Sequence, residues 1–371
     1  MKITKVTGYQ IELPLKEPFV INYATYPNMP AFILKIETDE GITGFGEAVP
    51  DEHVNGEHVN GLYETMEHLI APALITKNPL NINVILEEID QLIINNPSLK
   101  AAVDIALHDI LGKKANLPLY ELLGGKTKDK LSYAKVLSVK PFEQLKADID
   151  LLLSEGYKVI KVKLGGEVTS DCTKLKQILD YVDSSIEIRV DCNQAWTSPK
   201  RIAQMVNSLK YPNLMWIEQP LKYDDLKGMD YLYDNMNVPL MFDESILNVK
   251  QLAQLNIRTD LINVKLMKCG GIKGALDIIK YAEAHHIPCQ IGSMVESSIG
   301  SAAGYHVAMS QRNVQTTELT GPLLFKKDIG NLTYEVPYVY LSELPGLGIE
   351  INEQNLKDIT IRQFKVSGQN E

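Results

Sequence analysis

Cysteine is scarce in this chain of 371 residues: four in all, Cys172, Cys192, Cys269 and Cys289, with no Cys-x-x-Cys pair among them. That excludes a disulfide framework and predicts reduced thiols in a cytoplasmic protein. Positive charge is also in short supply. Lys and Arg number 37 against 47 Asp and Glu, and the resulting net charge of −10 argues against nucleic acid or an anionic membrane as partner. No apolar run approaches membrane-spanning length, and Met1-Lys-Ile-Thr-Lys-Val-Thr7 lacks a signal-peptide core. Low-complexity tracts and long linkers are missing too. What is left is a globular chain, 45% hydrophobic and 23% charged, long enough for two domains or for one large barrel with additions.

The apolar pattern divides it. Residues 1–15 and 31–48 read as strands, and Asp39-Glu-Gly41 between two alternating runs signals a hairpin. Two polar loops dotted with aromatics, about 16–29 and 50–60, flank these strands. Helical periodicity follows through 61–75, 81–95 and 98–115, the last opening on Ser98 as an N-cap and stopping before Leu117-Pro118. Up to about residue 125 this predicts one α+β domain. From about residue 130 strands alternate with amphipathic helices. Apolar strand runs at 132–138, 158–163, 186–191, 214–218, 238–243, 260–265, 288–292 and 314–319 predict a parallel (β/α)₈-type barrel, with an eight-stranded open sheet as the alternative.

The ends of these runs carry polar groups. Strand two, Val159-Ile-Lys161-Val-Lys163, places both lysines on one face, because strand side chains alternate with period two. Strand three ends in Asp191, with Asn193 two residues on; strand four ends in Glu218, strand five in Asp243 and strand six in Lys265. Strand seven opens into Gly292-Ser293-Met294-Val295-Glu296. Any one of these acids alone would read as a helix cap or a salt bridge. Carboxylates on three successive strand ends, flanked by lysines on strands two and six, favour the barrel, whose chemistry gathers at the C-terminal ends of its strands. Strands two and six lie opposite each other in an eight-membered ring, so Lys163 and Lys265 face one another across the centre.

Three oxygen ligands from Asp191, Glu218 and Asp243 suit a hard cation such as Mg²⁺. A metal on a substrate carboxylate stabilises the enediolate left when an α-proton is removed. Neighbouring positive charge and desolvation bring a lysine towards a useful basicity. One base on each face of a planar carbon allows deprotonation from one side and reprotonation from the other, which inverts it.

Leu117-Pro-Leu-Tyr-Glu-Leu-Leu-Gly-Gly125, Lys161-Val-Lys163, Asp191-Cys-Asn193, Glu218-Gln-Pro220, Asp243-Glu-Ser245 and Asn263-Val-Lys265-Leu-Met-Lys-Cys-Gly-Gly271 together resemble the enolase superfamily, muconate-lactonizing-enzyme subgroup. Sites of that superfamily pair a lysine or histidine base with magnesium. The resemblance implies an α/β fold, a (β/α)₇β TIM-like barrel over 126–344, beneath a capping domain made of residues 1–125 with the tail 345–371. It implies one Mg²⁺ per subunit on Asp191, Glu218 and Asp243, with Lys163 and Lys265 as general bases and Lys161 on the substrate carboxylate. No histidine stands at the end of strand six or seven, which disfavours the mandelate-racemase subgroup.

Within the subgroup, Ile291-Gly-Ser-Met-Val-Glu-Ser-Ser-Ile-Gly300 is most similar to dipeptide epimerases of the L-Ala-D/L-Glu type, enzymes of peptidoglycan peptide metabolism. The resemblance therefore implies a homo-oligomeric isomerase acting on a small dipeptide. Substrate contacts would come from Asn193, Ser293, Met294 and Glu296, and from Glu318 and Thr320 after strand eight. Such enzymes carry Asp-x-Asp where this chain has Glu318-Leu-Thr320, so one carboxylate is kept for an α-ammonium and the other is replaced. The arginine of the first capping loop corresponds to Ala24 in Asn22-Tyr-Ala-Thr-Tyr26, with Tyr26 beside it. These departures open the second-residue specificity beyond Glu. Other activities of the subgroup stand as alternatives: o-succinylbenzoate synthase, N-succinylamino acid racemase and cycloisomerase. A non-catalytic binding paralogue is the remaining one.

Overall fold

The computed structural model describes residues 1–21, 23–254 and 258–368, so Asn22 lies outside the described residues. The N-terminal part is an antiparallel sheet built on a long hairpin, Ile3–Val20 paired with Thr25–Thr38, followed by Thr43–Ala48. A C-terminal strand, Thr360–Ser367, adds to the free side of Ile3–Val20, with Val6 opposite Val366 and Gly8 opposite Phe364. Much of the stretch read from sequence as a loop over 16–29 is therefore strand. Lys16, Glu17 and Pro18 break the apolar alternation, but pairing of Phe19 with Tyr26 and Val20 with Thr25 carries the ladder to the hairpin tip.

This sheet is buried on both faces. Val6, Phe32, Leu34 and Ile36 pack on the cap helices, whereas Ile11, Leu13, Ala31 and Ile33 join the core shared with the barrel. The helix Pro97–Ala115 lies against it and is buried along most of its length, because its two sides serve these two cores. Backbone meets backbone there: a Cβ on Gly46 would stand 1.8 Å from the Ala102 carbonyl oxygen. The helix is not capped by Ser98. It starts at Pro97, and the Ser98 and Leu99 amides donate to the Glu57 carboxylate at 2.9 and 3.2 Å. A buried helix end needs an acceptor for its free amides, and a residue 41 positions upstream provides it.

Eight parallel strands follow, hydrogen-bonded in chain order: Lys135–Leu137, Val159–Lys163, Glu187–Asp191, Leu214–Glu218, Leu240–Phe242, Leu261–Val264, Cys289–Ile291 and Val314–Thr317. Tyr133 bridges in parallel to Thr317, and the Ala134 amide donates to the Thr317 carbonyl at 3.1 Å, so strand one meets strand eight and the sheet curls into a barrel. Helices Phe142–Ser154, Val168–Tyr181, Pro199–Asn207, Leu226–Asn235, Val249–Gln254, Ile272–Ala284 and Ser298–Ser310 fill the seven crossovers. Strand eight leads into the short turn Gly321–Leu324 and then back to the cap, which completes a (β/α)₇β pattern. Among the described residues no helix is long and apolar enough to cross a membrane.

Candidate active site

Strand two sends Val162 outward into the helix layer and both lysines inward, as its period requires. Lys163 Nζ donates to Asp191 Oδ2 at 2.6 Å and to Asn193 Oδ1 at 2.9 Å. Lys161, fully buried, sits among carboxylates from three strands, its nitrogen 3.0 Å from Asp191 Oδ2 and 2.8 Å from both Glu218 Oε2 and Glu318 Oε2. Across the barrel Lys265 Nζ is 2.7 Å from Asp243 Oδ2. The ends of strands three and four are shaped by backbone with positive φ at Asn193 (40°), Gln194 (67°) and Gln219 (35°). Gln219 then ties strand four to strand five, its Oε1 accepting from the Asp243 amide at 3.0 Å.

Asp191, Glu218 and Asp243 are all buried, and each offers a carboxylate oxygen within 4.8 Å of the others. Glu218 Oε2 and Asp243 Oδ2 make no well-angled hydrogen bond even though lysine nitrogens stand at 2.8 and 2.7 Å. Buried carboxylate oxygens left short of donors, converging from successive strand ends, fit a hard divalent cation. Burial opposes the charge of Asp191, but Lys161 and Lys163 outweigh it and hold the carboxyl below its usual range. Burial likewise opposes Asp243, where Lys265 and Lys268 prevail. Glu218 goes the other way, raised by burial and then by the neighbouring Asp191 charge. Burial would lower Lys265, yet Asp243, Glu244 and Glu218 outweigh it and keep its ammonium above the ordinary value.

The cavity over this cluster is walled by Lys161, Lys163, Asn193, Lys265, Ser293, Met294, Glu318 and Thr320 from the barrel. Tyr26 also faces it, with Phe19, Tyr23 and Asp51 from the cap. The two cap loops brace each other: Tyr26 Oη donates to Asp51 Oδ2 at 3.1 Å, and Tyr23 stacks on His53 with centroids 4.3 Å apart. Two sequence-predicted contacts are not on the cavity wall. Ala24 is absorbed in the hairpin tip, its carbonyl accepting from Ile21 at 3.0 Å, and Glu296 lies behind the wall, bonded to Ser293 and Met294. Glu318 reaches the site beside Lys161 and Asn263 Nδ2, but the Lys161 ammonium is shared with Asp191 and Glu218. Glu318 Oε2, like Glu218 Oε2, makes no well-angled hydrogen bond.

Sequence reading assigned no role to Lys268, Asn263 or Asp51. Lys268 Nζ donates to Asp243 Oδ1 and to the Asp243 carbonyl, both at 2.5 Å, and to the Asn263 carbonyl at 3.0 Å. Asn263 Nδ2 bridges Glu218 Oε1 at 2.8 Å and Glu318 Oε1 at 3.1 Å. The available signal was position: Asn263 lies two residues before Lys265 on the same strand face, and Lys268 one helical turn beyond it.

The Mandelate racemase / muconate lactonizing enzyme, N-terminal domain family matches residues 3–124, and the Enolase C-terminal domain-like family matches residues 144–355. The chain belongs to the enolase superfamily, in its muconate-lactonizing subgroup. It is 44% identical over 366 residues to the N-succinyl-L-Arg/Lys racemase of Bacillus cereus, covering 98% of this chain and 99% of that one. The crystal structure of that racemase superposes with a TM-score of 0.96 over 99% of this chain and 100% of that one. The L-Ala-D/L-Glu epimerase of Bacillus subtilis is 35% identical, covering 94% of this chain and 97% of that one. A dipeptide epimerase from Enterococcus faecalis, solved with Mg and L-Leu-L-Tyr, is 35% identical with a TM-score of 0.90, covering 94% of this chain and 100% of that one. This superfamily member is accordingly an isomerase with a divalent-cation site and a small-molecule substrate.

Proposed function

We propose that the chain racemises N-acylated α-amino acids by two-base 1,1-proton transfer, with a preference for a basic side chain. The observation that carries the reaction is the placement of Lys163 and Lys265 on opposite strands of one cavity, each against a carboxylate of the same buried cluster. Asp243, its charge taken up by a cation, would loosen its hold on the Lys265 ammonium. A substrate α-carbon between the two lysines would then lose its proton to the neutral one and gain a proton from the ammonium on the other face, so the configuration inverts. Asp191, Glu218 and Asp243 would hold a divalent cation, proposed as Mg²⁺, and it supplies positive charge to the substrate carboxylate as the proton leaves. Lys161 adds a fixed ammonium on the same side. Asn193 holds Lys163 from below through its side-chain oxygen, at 2.9 Å.

The side-chain preference comes from the cap. Among Phe19, Tyr23 and Tyr26, Asp51 lies on the cavity wall; its Oδ1 accepts from the His53 and Val54 amides at 2.7 and 3.1 Å and its Oδ2 from Tyr26 Oη at 3.1 Å. With no lysine or arginine paired to it among the described residues, its charge would favour an entering guanidinium or ammonium. This agrees with the substrate in the name of the B. cereus relative. A dipeptide is itself an N-acylated amino acid, and Glu318 after strand eight supports dipeptides as a second reading. Lys161 is shared between Glu318, Asp191 and Glu218, so it compensates Glu318 only in part, and a substrate ammonium would complete the balance in that reading.

The test is α-proton exchange in D₂O and polarimetry on N-succinyl-L-arginine, N-succinyl-L-lysine, neutral N-succinyl amino acids, L-Ala-L-Lys and L-Ala-L-Glu. With Mg²⁺ the basic N-succinyl substrates should exceed the neutral ones at least tenfold in kcat/KM, and Asp51→Asn should erase that margin. Exchange of no substrate would leave a binding protein. Preference for L-Ala-L-Glu would restore the dipeptide reading, and full activity after exhaustive chelation would remove the cation.

A further inference from the structure

Val295 holds φ at +70°, a left-handed conformation that β-branched side chains rarely adopt. It belongs to the segment joining strand seven to the helix Ser298–Ser310, and with Ser293 and Met294 it forms one wall of the cavity. Such a conformation persists where the surroundings over-determine it. Two buried carboxylates do so. Glu296 folds back on its own segment, Oε1 accepting from the Met294 amide at 2.9 Å and Oε2 from Ser293 Oγ at 2.5 Å.

Glu47 arrives from the third cap strand, 250 residues away in sequence. Its Oε1 accepts from the Ser297 amide at 2.8 Å; its Oε2 accepts from Ser297 Oγ at 2.7 Å and from the Gly300 amide at 2.8 Å. Of the amides that open the 13-residue helix, Gly300 donates to Glu47, Ile299 to Ser297 Oγ and Ser298 to Asp328 Oδ1, so Glu47 takes one helix amide and both donors of the N-cap Ser297. The packing leaves no slack: a Cβ on Gly300 would lie 2.8 Å from the Glu296 side chain and 3.0 Å from Glu47 Oε2. One on Gly321, beside Thr320, would lie 2.0 Å from the Glu296 carbonyl oxygen. Burial pushes the Glu47 carboxyl up to about 8 against these hydrogen bonds, so the contact is a demanding one to form.

We propose that Glu47 is a positioning residue for substrate binding. Through it the cap clamps the first turn of the helix after strand seven and fixes the strained Ser293–Val295 wall, so the cavity takes its shape only with the cap seated. Its kinetic consequence rests on the racemase reading above. The wall lies on a different strand end from Lys163 and the carboxylate cluster, and it meets the substrate alike before and during proton transfer. Loss of the clamp should therefore raise KM with little change in kcat.

The experiment compares the Mg²⁺-loaded full chain with Glu47→Gln, which turns an acceptor into an N–H donor, and with Glu47→Ala. Both should raise KM tenfold or more, hold kcat within threefold and leave Mn²⁺ affinity unchanged. Amide hydrogen exchange on the ligand-free protein should quicken at least tenfold over residues 292–300 and stay unchanged over 159–166 and 187–193. An unchanged KM, or exchange that quickens across the whole barrel with kcat and KM both failing, would overturn the proposal. Should Glu47→Ala fail to fold, Val295→Gly decides in the Glu47→Gln background. Glycine adopts this φ freely, so the two changes should be non-additive in KM, and strict additivity would refute the clamp. If the wild-type chain turns over none of the substrates, the racemase reading fails while the exchange measurement still decides the clamp.

Discussion

Replacing Lys268 with methionine should destabilise the metal-free protein and tighten its grip on a divalent cation. The ammonium is 2% exposed and all its bonds go to one corner of the site: Asp243 Oδ1, the Asp243 carbonyl and the Asn263 carbonyl. Methionine keeps the apolar stem, one atom shorter and without the ammonium, and leaves Asp243 with one ammonium partner, Lys265, on its other oxygen. Breaking a buried pair by removing one member costs about 3–5 kcal/mol. Two carbonyls also lose a donor, at about 1–3 kcal/mol each where they stay dry. The remaining Lys265 pair puts each contribution at its low end, about 5 kcal/mol in all. A bound cation would take over the charge on Asp243 but not the two carbonyls, so the loss in its presence should shrink to about 2 kcal/mol. By linkage the difference, about 3 kcal/mol, reappears as roughly 150-fold tighter cation binding. Urea unfolding with chelator and with saturating Mg²⁺, beside a Mn²⁺ titration, measures both. A loss under about 1 kcal/mol without metal, or weaker Mn²⁺ binding in Lys268→Met, would refute the assignment of Lys268 as the counter-charge of Asp243.

Lys163→Ala and Lys265→Ala should each abolish net racemisation while retaining α-proton exchange of a single, opposite stereoisomer; exchange of both stereoisomers by either variant would contradict one base per face. His306 gives a pH signature. Burial pushes its imidazole down from 6.5 to about 4, and its Nδ1 accepts from the Tyr120 amide while Nε2 meets the Leu347 carbonyl. Below pH 6.5 the unfolded chain binds a proton that the folded one refuses, so stability falls as pH drops from 6.5 towards 4. The gap from 6.5 to about 4 converts to about 3 kcal/mol. His306→Gln should flatten that fall by one proton in urea midpoints taken across pH 4.5–6.5, and an unchanged slope would contradict a buried neutral imidazole.

The barrel strands, and the acids and lysines closing them, were legible in the sequence because both are local properties. Alternation fixes which side chains of Val159–Lys163 point inward, and a strand's last residue stays its last residue however the sheet closes. Lys161, Lys163, Asp191, Glu218, Asp243 and Lys265 could be placed at one end of a parallel sheet without knowing any contact. What only the tertiary structure decided was partner choice. Glu318 pairs with Lys161 across 157 residues, Glu57 rather than Ser98 caps the helix that Pro97 opens, and Glu47 reaches the helix after strand seven. The stretch 16–29 looked like a loop because its charges and prolines interrupt the pattern, and it became strand because a partner lay opposite. Asp51 gained its meaning only when the cap loops closed over the barrel mouth. Each of these depends on barrel closure and cap seating, which bring together groups hundreds of residues apart. The free energy of such a contact comes from burial and unmet hydrogen bonds at the destination, and no local pattern around either residue records it.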